Sequence, residues 1–321
     1  MDVSVVICTY NRAASLKCAL ESLADMKVPD EVSWEVVVVD NNSSDGTRGV
    51  VEQFLGSSLK IRYIFEPAQG LSLARNRGVK ESRGNITSFI DDDVMVAQDW
   101  LFEVKQAFDT SQVACVGGKV PLRKDLAFPD WWRKEYNPSL GQCEKGDQTF
   151  ILDSVSRGTV GIGANVSFRR SCFEKYGDFR SDLGRIGGTL LMGEDIEFCN
   201  RLRSHGELLM HYPRAVVYQC PDLSRMTKRY VVRWFFRIGE WIFLEDGSSK
   251  VAGALQGTLI CGVPRWRCKD AAQHVLLSFW RYGTGRHREG FYNLVQVTMF
   301  LGYFFGAIKH RKTQVATGMS T

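Results

Sequence analysis

The stretch Ile86-Thr87-Ser88-Phe89-Ile90-Asp91-Asp92-Asp93 sets an apolar run directly against three carboxylates. Such a run reads as a strand buried on both faces. Upstream of it the same pattern occurs three times. Residues 3–8 are a continuous apolar run, and residues 13–23 carry apolar side chains at helical spacing. Residues 36–39 form a second strand that ends in Asp40, and residues 47–55 read as a helix with Ser44 or Asp45 as its cap. Residues 61–65 are a third strand, and residues 71–82 are a helix that leads into the fourth. This order predicts an α/β fold with a doubly wound, mostly parallel sheet and right-handed crossovers. Sheets of that kind take their ligands at the carboxyl ends of the strands. Three strand ends here are polar: Thr9-Tyr10-Asn11-Arg12, Asp40-Asn41-Asn42 and Asp91-Asp92-Asp93.

Beyond the fourth strand the pattern is less regular. Residues 113–120, 164–169, 208–212 and 215–219 read as strands, and residues 194–204 as a helix opened by Gly193. Residues 128–138 form a loop rich in Trp and Pro. After Pro221 the chain turns to helices rich in Arg, Trp and Phe. The expected division is 1–115 and 116–220 as the two halves of one domain, and 221–321 as a basic amphipathic helical tail.

With 321 residues and 44% hydrophobic side chains, the chain has the makeup of a globular protein. A net charge of only +5 does not call for a nucleic-acid partner. The opening residues lack a signal-peptide pattern, and the nine cysteines are scattered with no CxxC pair. Both features point to the reducing, cytoplasmic side, with the thiols free. Sequons such as Asn165-Val166-Ser167 are then chance matches.

Three adjacent carboxylates are either a solvated acidic turn or a site for a hard divalent ion, Mg²⁺ or Mn²⁺, shared with a diphosphate. The other polar strand ends nearby favour the ion. Asp40, at a strand end, can accept from a base N–H or a ribose hydroxyl. The rest of residues 40–47 is turn and cap chemistry. Arg75 sits on a helix beside the site and is either a phosphate or base contact or a solvated surface arginine. Glu194-Asp195 opens a helix, where acidic residues complement the dipole. The same pair could instead supply the general base that takes a proton from an attacking sugar hydroxyl. The glycine-rich run 184–188 before it reads as a loop that orders over a substrate.

Taken in order, 5–12, the 40–47 loop, Ala74-Arg75-Asn76, Asp91–Asp93 and Gly193-Glu194-Asp195 resemble a family 2 glycosyltransferase of GT-A fold over about residues 1–240. The resemblance implies transfer from a nucleotide diphosphate sugar, UDP-linked in most members, to a glycan or lipid-linked acceptor with inversion. It makes 1–115 the nucleotide-sugar-binding half and 116–220 the acceptor-binding and catalytic half, and implies that Thr9, Tyr10, Asn11, Arg12 and Asp92 line the nucleotide-sugar pocket, that Asp40 binds the base, and that Arg75 supports the nucleotide. It makes Asp93 the main metal ligand, with Asp91 beside it near the ribose or diphosphate. Asp195 becomes the catalytic base, with Glu194 its acidic neighbour.

Two departures are visible. Relatives carry a His at the end of the strand after the Gly-Glu-Asp helix, where this chain has Tyr218 and Gln219, and His211 is not a substitute. Processive members carry Gln-x-x-Arg-Trp, whereas here Tyr230 precedes Arg233-Trp234, so a non-processive enzyme is expected. A nucleotidyltransferase is the competing enzyme reading, and it lacks its glycine-rich phosphate loop here. A non-catalytic nucleotide-sugar binder is the third reading.

In the tail, Arg225, Arg229, Arg233 and Arg237 recur every fourth residue and predict one basic stripe on a helix. Residues 291–308 are mostly apolar and are followed by the basic cluster 309–312. The expectation is a packed or interfacial helix ahead of a span, and a peripheral contact with anionic membrane.

Overall fold

The computed structural model of the chain describes residues 1–156, 158–186, 193–248, 259–260 and 263–317. The chain forms two compact units, Met1–Leu126 with Leu140–Asp222, and Ala127–Ser139 with Leu223–Thr321.

The first unit opens with β1 (Val3–Thr9), α1 (Ala13–Ala24), β2 (Trp34–Asp40), α2 (Thr47–Gln53), β3 (Ile61–Phe65), α3 (Leu71–Glu81) and β4 (Ile86–Asp91). It continues through β5 (Val94–Val96), α4 (Trp100–Asp109), β6 (Cys115–Lys119), β7 (Phe150–Leu152), β8 (Asn165–Arg169), α5 (Arg170–Tyr176), α6 (Glu194–Ser204) and β9 (Leu209–Gln219). The sheet order is β3-β2-β1-β4-β8-β6-β9-β5, with β7 also pairing β9. The first four of these strands are parallel, β8 runs antiparallel between β4 and β6, and β6 and β9 are parallel to each other.

Strands β1, β2 and β4 are buried on both faces, which is why they read as near-continuous apolar runs, while the edge strand β3 is only partly buried. Val3, Val5, Ile7, Val36, Val38 and Ile90 pack into one apolar layer, while Val6, Val37, Val39 and Phe89 pack into the other. Helix α3 lies directly on the sheet at Gly78, where a Cβ would overlap Val6. Phe168, Phe173, Phe179 and Phe198 form an aromatic cluster, with Phe173 and Phe198 stacked at 4.7 Å. This cluster fixes α6, and with it Glu194 and Asp195, against the sheet.

One expectation is altered. Residues 208–212 and 215–219 are not two strands but the single strand β9. Pro213 cannot donate a ladder hydrogen bond. The pairing with β6 accordingly jumps from Gly117–His211 to Lys119–Val216, so the proline sits in an irregularity and the strand resumes beyond it.

The second unit contains a short turn (Leu223–Arg225), α7 (Lys228–Ser248), α8 (Arg265–Gly283) and α9 (His287–Thr317), with β10 (Leu259–Ile260) pairing β11 (Val263–Pro264). Helices α7 and α9 meet backbone to backbone at two glycines. A Cβ on Gly239 would overlap the Met299 carbonyl, and one on Gly302 the Phe236 carbonyl. Phe291, Val295, Tyr303 and Ala307 of α9 are buried. Residues 287–309 are long and apolar enough to cross a membrane by length and composition.

Arg225 lies in the turn before α7 and is buried, so on α7 itself the basic stripe is Arg229, Arg233 and Arg237. The 128–138 loop packs within this unit. Trp132 is buried, and Trp131 and Tyr136 meet Phe291 at 5.4 and 5.7 Å. Residues 187–188 of the glycine-rich run and the side chains of residues 310–312 lie outside the described residues.

Candidate active site

The register of the parallel strands assembles the site. Thr9 lies opposite Asp40 and Cys8 opposite Asp91, so the polar ends of β1, β2 and β4 stand side by side. The loops that follow β1 and β2 are tied together. Asn11, with φ +53°, accepts from the Ser44 N–H at 2.7 Å, and its own N–H donates to Ser43 Oγ. Asn42 also has positive φ, +66°. Asparagine tolerates this left-handed backbone better than most residues. Asn11 therefore shapes the loop, while Tyr10 beside it is exposed.

Asp40 is buried and already engaged: Oδ1 accepts from the Ser43 N–H at 2.8 Å and Oδ2 from the Tyr63 hydroxyl at 2.7 Å. Burial and that bond to a carboxylate push the Tyr63 phenol up to about 12. Neither Tyr63 nor Ser43 is singled out by the sequence, because Tyr63 reaches the site from the neighbouring strand.

The acidic triplet divides into an inner pair and an outer member. Asp92 accepts from Thr9 Oγ1 at 2.8 Å and from Arg12 at 3.0 Å. Asp93 accepts from Arg12 at 2.8 Å and from Gln219 Nε2 at 2.7 Å. Both are buried, and burial pushes Asp92 up to about 6 even with Arg12 opposing it. Asp91, in contrast, leaves 42% of its side chain exposed. Among the described residues no three His, Cys, Asp or Glu side chains are grouped closely enough to hold an ion. The available donors are nonetheless all hard oxygens: the three carboxylates and Gln219 Oε1, which is buried with no hydrogen-bond partner. That set suits Mg²⁺ or Mn²⁺ chemically. His211 is occupied elsewhere, with Nδ1 2.8 Å from the Val160 carbonyl and its ring stacked on Phe150.

Arg75 is not a solvated surface arginine. It is buried, paired through Nη1 with Glu194 and 3.6 Å through Nη2 from Asp91. Its guanidinium lies 5.8 Å over the Phe89 ring, and the backbone at Gly163 approaches so closely that a Cβ there would overlap it. Burial holds the Glu194 carboxyl above its usual range, and the charge of Arg75 opposes that rise. One residue on, Asp195 is half-buried and oriented by backbone donors, accepting from the Gly163 N–H at 2.6 Å and the Ile196 N–H at 2.9 Å. Gly193, with φ +105°, makes the turn that presents both acids.

The arrangement therefore joins an open carboxylate at a parallel strand end to an acidic helix start on one buried guanidinium. Residues 4–177 match the family described as Glycosyl transferase family 2. The chain belongs to that family.

As a family 2 glycosyltransferase it is similar to the succinoglycan biosynthesis protein ExoM of Rhizobium meliloti, with 28% identity over 243 residues, 75% of this chain and 74% of that protein. Its fold resembles S. aureus TarS 1-349 in complex with UDP, at a TM-score of 0.53 and 16% identity, over 98% of this chain and 92% of that one. It also resembles the mannosyltransferase PcManGT of Pyrobaculum calidifontis in complex with GDP-Man and Mn²⁺, at a TM-score of 0.55 and 20% identity, over 93% and 86% of the two chains. The GT-A-like α/β fold with helices at the C-terminal end is thus that of a glycosyltransferase.

Proposed function

We propose that this glycosyltransferase moves a sugar from a UDP-sugar to a glycan or lipid-linked acceptor with inversion, in polysaccharide or cell-envelope glycan biosynthesis. The observation that carries the reading is the Arg75 bridge, which puts the strand-end carboxylate Asp91 and the acidic pair Glu194-Asp195 on one side chain. The similarity to a succinoglycan biosynthesis protein supports the polysaccharide role. The UDP and GDP-Man complexes of similar fold support a nucleotide-sugar donor. Both oxygens of Asp40 already take one donor each, which suits the single N–H of uracil better than the paired donors of guanine.

In this reading Asp195 takes the proton from the acceptor hydroxyl as that oxygen attacks the anomeric carbon, and the nucleoside diphosphate leaves from the opposite face. Backbone donors at Gly163 and Ile196 aim its carboxylate. Arg75 is a positioning residue, holding Glu194 and Asp91. Thr9 and Tyr10 border the nucleotide, and Asn11 shapes that border. Asp91, Asp93 and Gln219 would hold Mg²⁺ or Mn²⁺, which when bound supplies charge neutralisation for the diphosphate leaving group. Arg12, a third exposed, turns from Asp92 and Asp93 toward the phosphates. The free thiols among the described cysteines suit a cytoplasmic location.

The test is Asp195→Asn. Donor binding measured by titration calorimetry stays close to wild type, while transfer falls by on the order of a hundredfold or more. Retained transfer would remove Asp195 as the base.

A further inference from the structure

We propose that the outer face of α8 is a membrane-docking ridge: Leu276, Phe279 and Trp280 enter the interface of an anionic bilayer while basic residues around them meet its headgroups. Ala271 and Ser278 mark the buried side of α8. On the opposite side Leu276, Phe279 and Trp280 are 71%, 75% and 54% exposed. Apolar side chains of this size gain by leaving water, so three such neighbours exposed side by side form a patch that marks an interaction site.

The surroundings of the patch select the partner. Arg265 and Lys269 lie on the same helical face nearer the start of α8, and Arg286, His287 and Arg288 are exposed just past its end. The Arg286 guanidinium lies 5.4 Å over the Trp280 ring. Residues 223–321 hold 15 Lys and Arg against 5 Asp and Glu, although the whole chain carries only +5. A second copy of so basic a unit would bring like charge onto like charge. An anionic bilayer accepts both parts. Indole and phenyl rings settle at its headgroup level, and the long basic side chains reach its phosphates. With one side buried along its length, α8 is suited to lie on the surface rather than cross it. The ridge also differs from the arginine stripe of α7, where Arg237 is already paired with Glu240 at 2.6 Å. Charge alone is screened by salt, whereas apolar insertion is not.

Flotation of the full chain with vesicles of phosphatidylcholine, with and without phosphatidylglycerol, tests this. Wild type floats with the anionic vesicles, keeps part of that binding in high salt, and shows a blue-shifted tryptophan emission. The triple variant Leu276→Ser, Phe279→Ser, Trp280→Ser changes only exposed positions and keeps the wild-type melting temperature. Its partitioning falls by on the order of tenfold or more. Should it fail to fold, Arg265→Gln with Lys269→Gln serves instead, weakening binding to anionic vesicles and leaving neutral vesicles unaffected. The proposal is overturned if wild type does not float, or if the triple variant floats as well as wild type. It is also overturned if sedimentation shows wild type self-associating and the triple variant monomeric, which assigns the ridge to a second copy.

Discussion

Replacing Arg75 with Met keeps the length of the side chain and removes its charge. The buried Glu194 carboxylate then loses its counter-charge in a pocket already closed by Phe89 and Gly163. Breaking a buried pair in this way costs about 3–5 kcal/mol, far more than the loss of an exposed one. For a unit of roughly 200 residues that is a fall in melting temperature of about 6–20 °C. The penalty also depends on pH. Burial already raises the Glu194 carboxyl, and without Arg75 it rises further. A raised folded-state value means that the protonated carboxyl's stabilisation is complete below the unfolded value, near ~4.3, and is lost as pH rises through the folded value. Arg75→Met is therefore least harmful near pH ~4–5 and grows more harmful as pH rises from there towards neutral. Urea denaturation of both proteins across that range measures it. A difference under about 1 kcal/mol, or one that does not grow with pH, refutes Arg75 as the counter-charge of Glu194.

Two further outcomes follow from the geometry. Donor binding by wild type weakens in excess chelator, and Asp91→Asn removes the metal-dependent part; equal calorimetric affinity with and without chelator sinks the metal reading. In Gly302→Ala two effects oppose, since helix propensity favours Ala by about 1 kcal/mol while overpacking costs about 1–3 kcal/mol. Because the obstacle is the Phe236 carbonyl, a backbone atom, the packing term wins and the melting temperature of the helical unit falls; a rise would mean α7 and α9 are not in backbone contact.

Much of the fold is legible where local signals are strong. Residues 61–65 and 194–204 coincide with β3 and α6, because an apolar run or a helical repeat is bounded there by clear breaks. Helix α4 has a legible pattern in Trp100, Leu101, Val104 and Phe108, all buried, but it falls outside the strand-and-helix alternation that organises the reading. Pro213 argues for two strands, and only the irregular pairing with β6 reconciles it with one.

The site is legible as a set of strand ends but not as a network. The partner of Arg75 lies 119 residues away, so no local pattern separates a buried arginine from a surface one. Gln219 is visible only as a departure, and its bond to Asp93 is a product of the β9 register. Trp131 and Trp132, read only as part of a loop rich in Trp and Pro, pack among the aromatic residues of the helical unit.

Asn165 has one further consequence, for how this protein is made in the laboratory. It is buried at the junction of β6, β8 and β9, donating to the Lys119 and Ala215 carbonyls and accepting from Trp100. It also begins the sequence Asn165-Val166-Ser167, an acceptor for N-linked glycans. Asn41, which heads Asn41-Asn42-Ser43, is likewise buried, donating to the Ala68 carbonyl and accepting from Gly70. Expression through a eukaryotic secretory route would offer both asparagines to the glycosylation machinery before the sheet closes over them. A glycan on either nitrogen replaces one of its two N–H donors and sets a bulky sugar at a buried position, and the chain could not complete its core. Cytosolic expression, or mutation of Ser167 and Ser43 to residues other than Ser or Thr, avoids that trap.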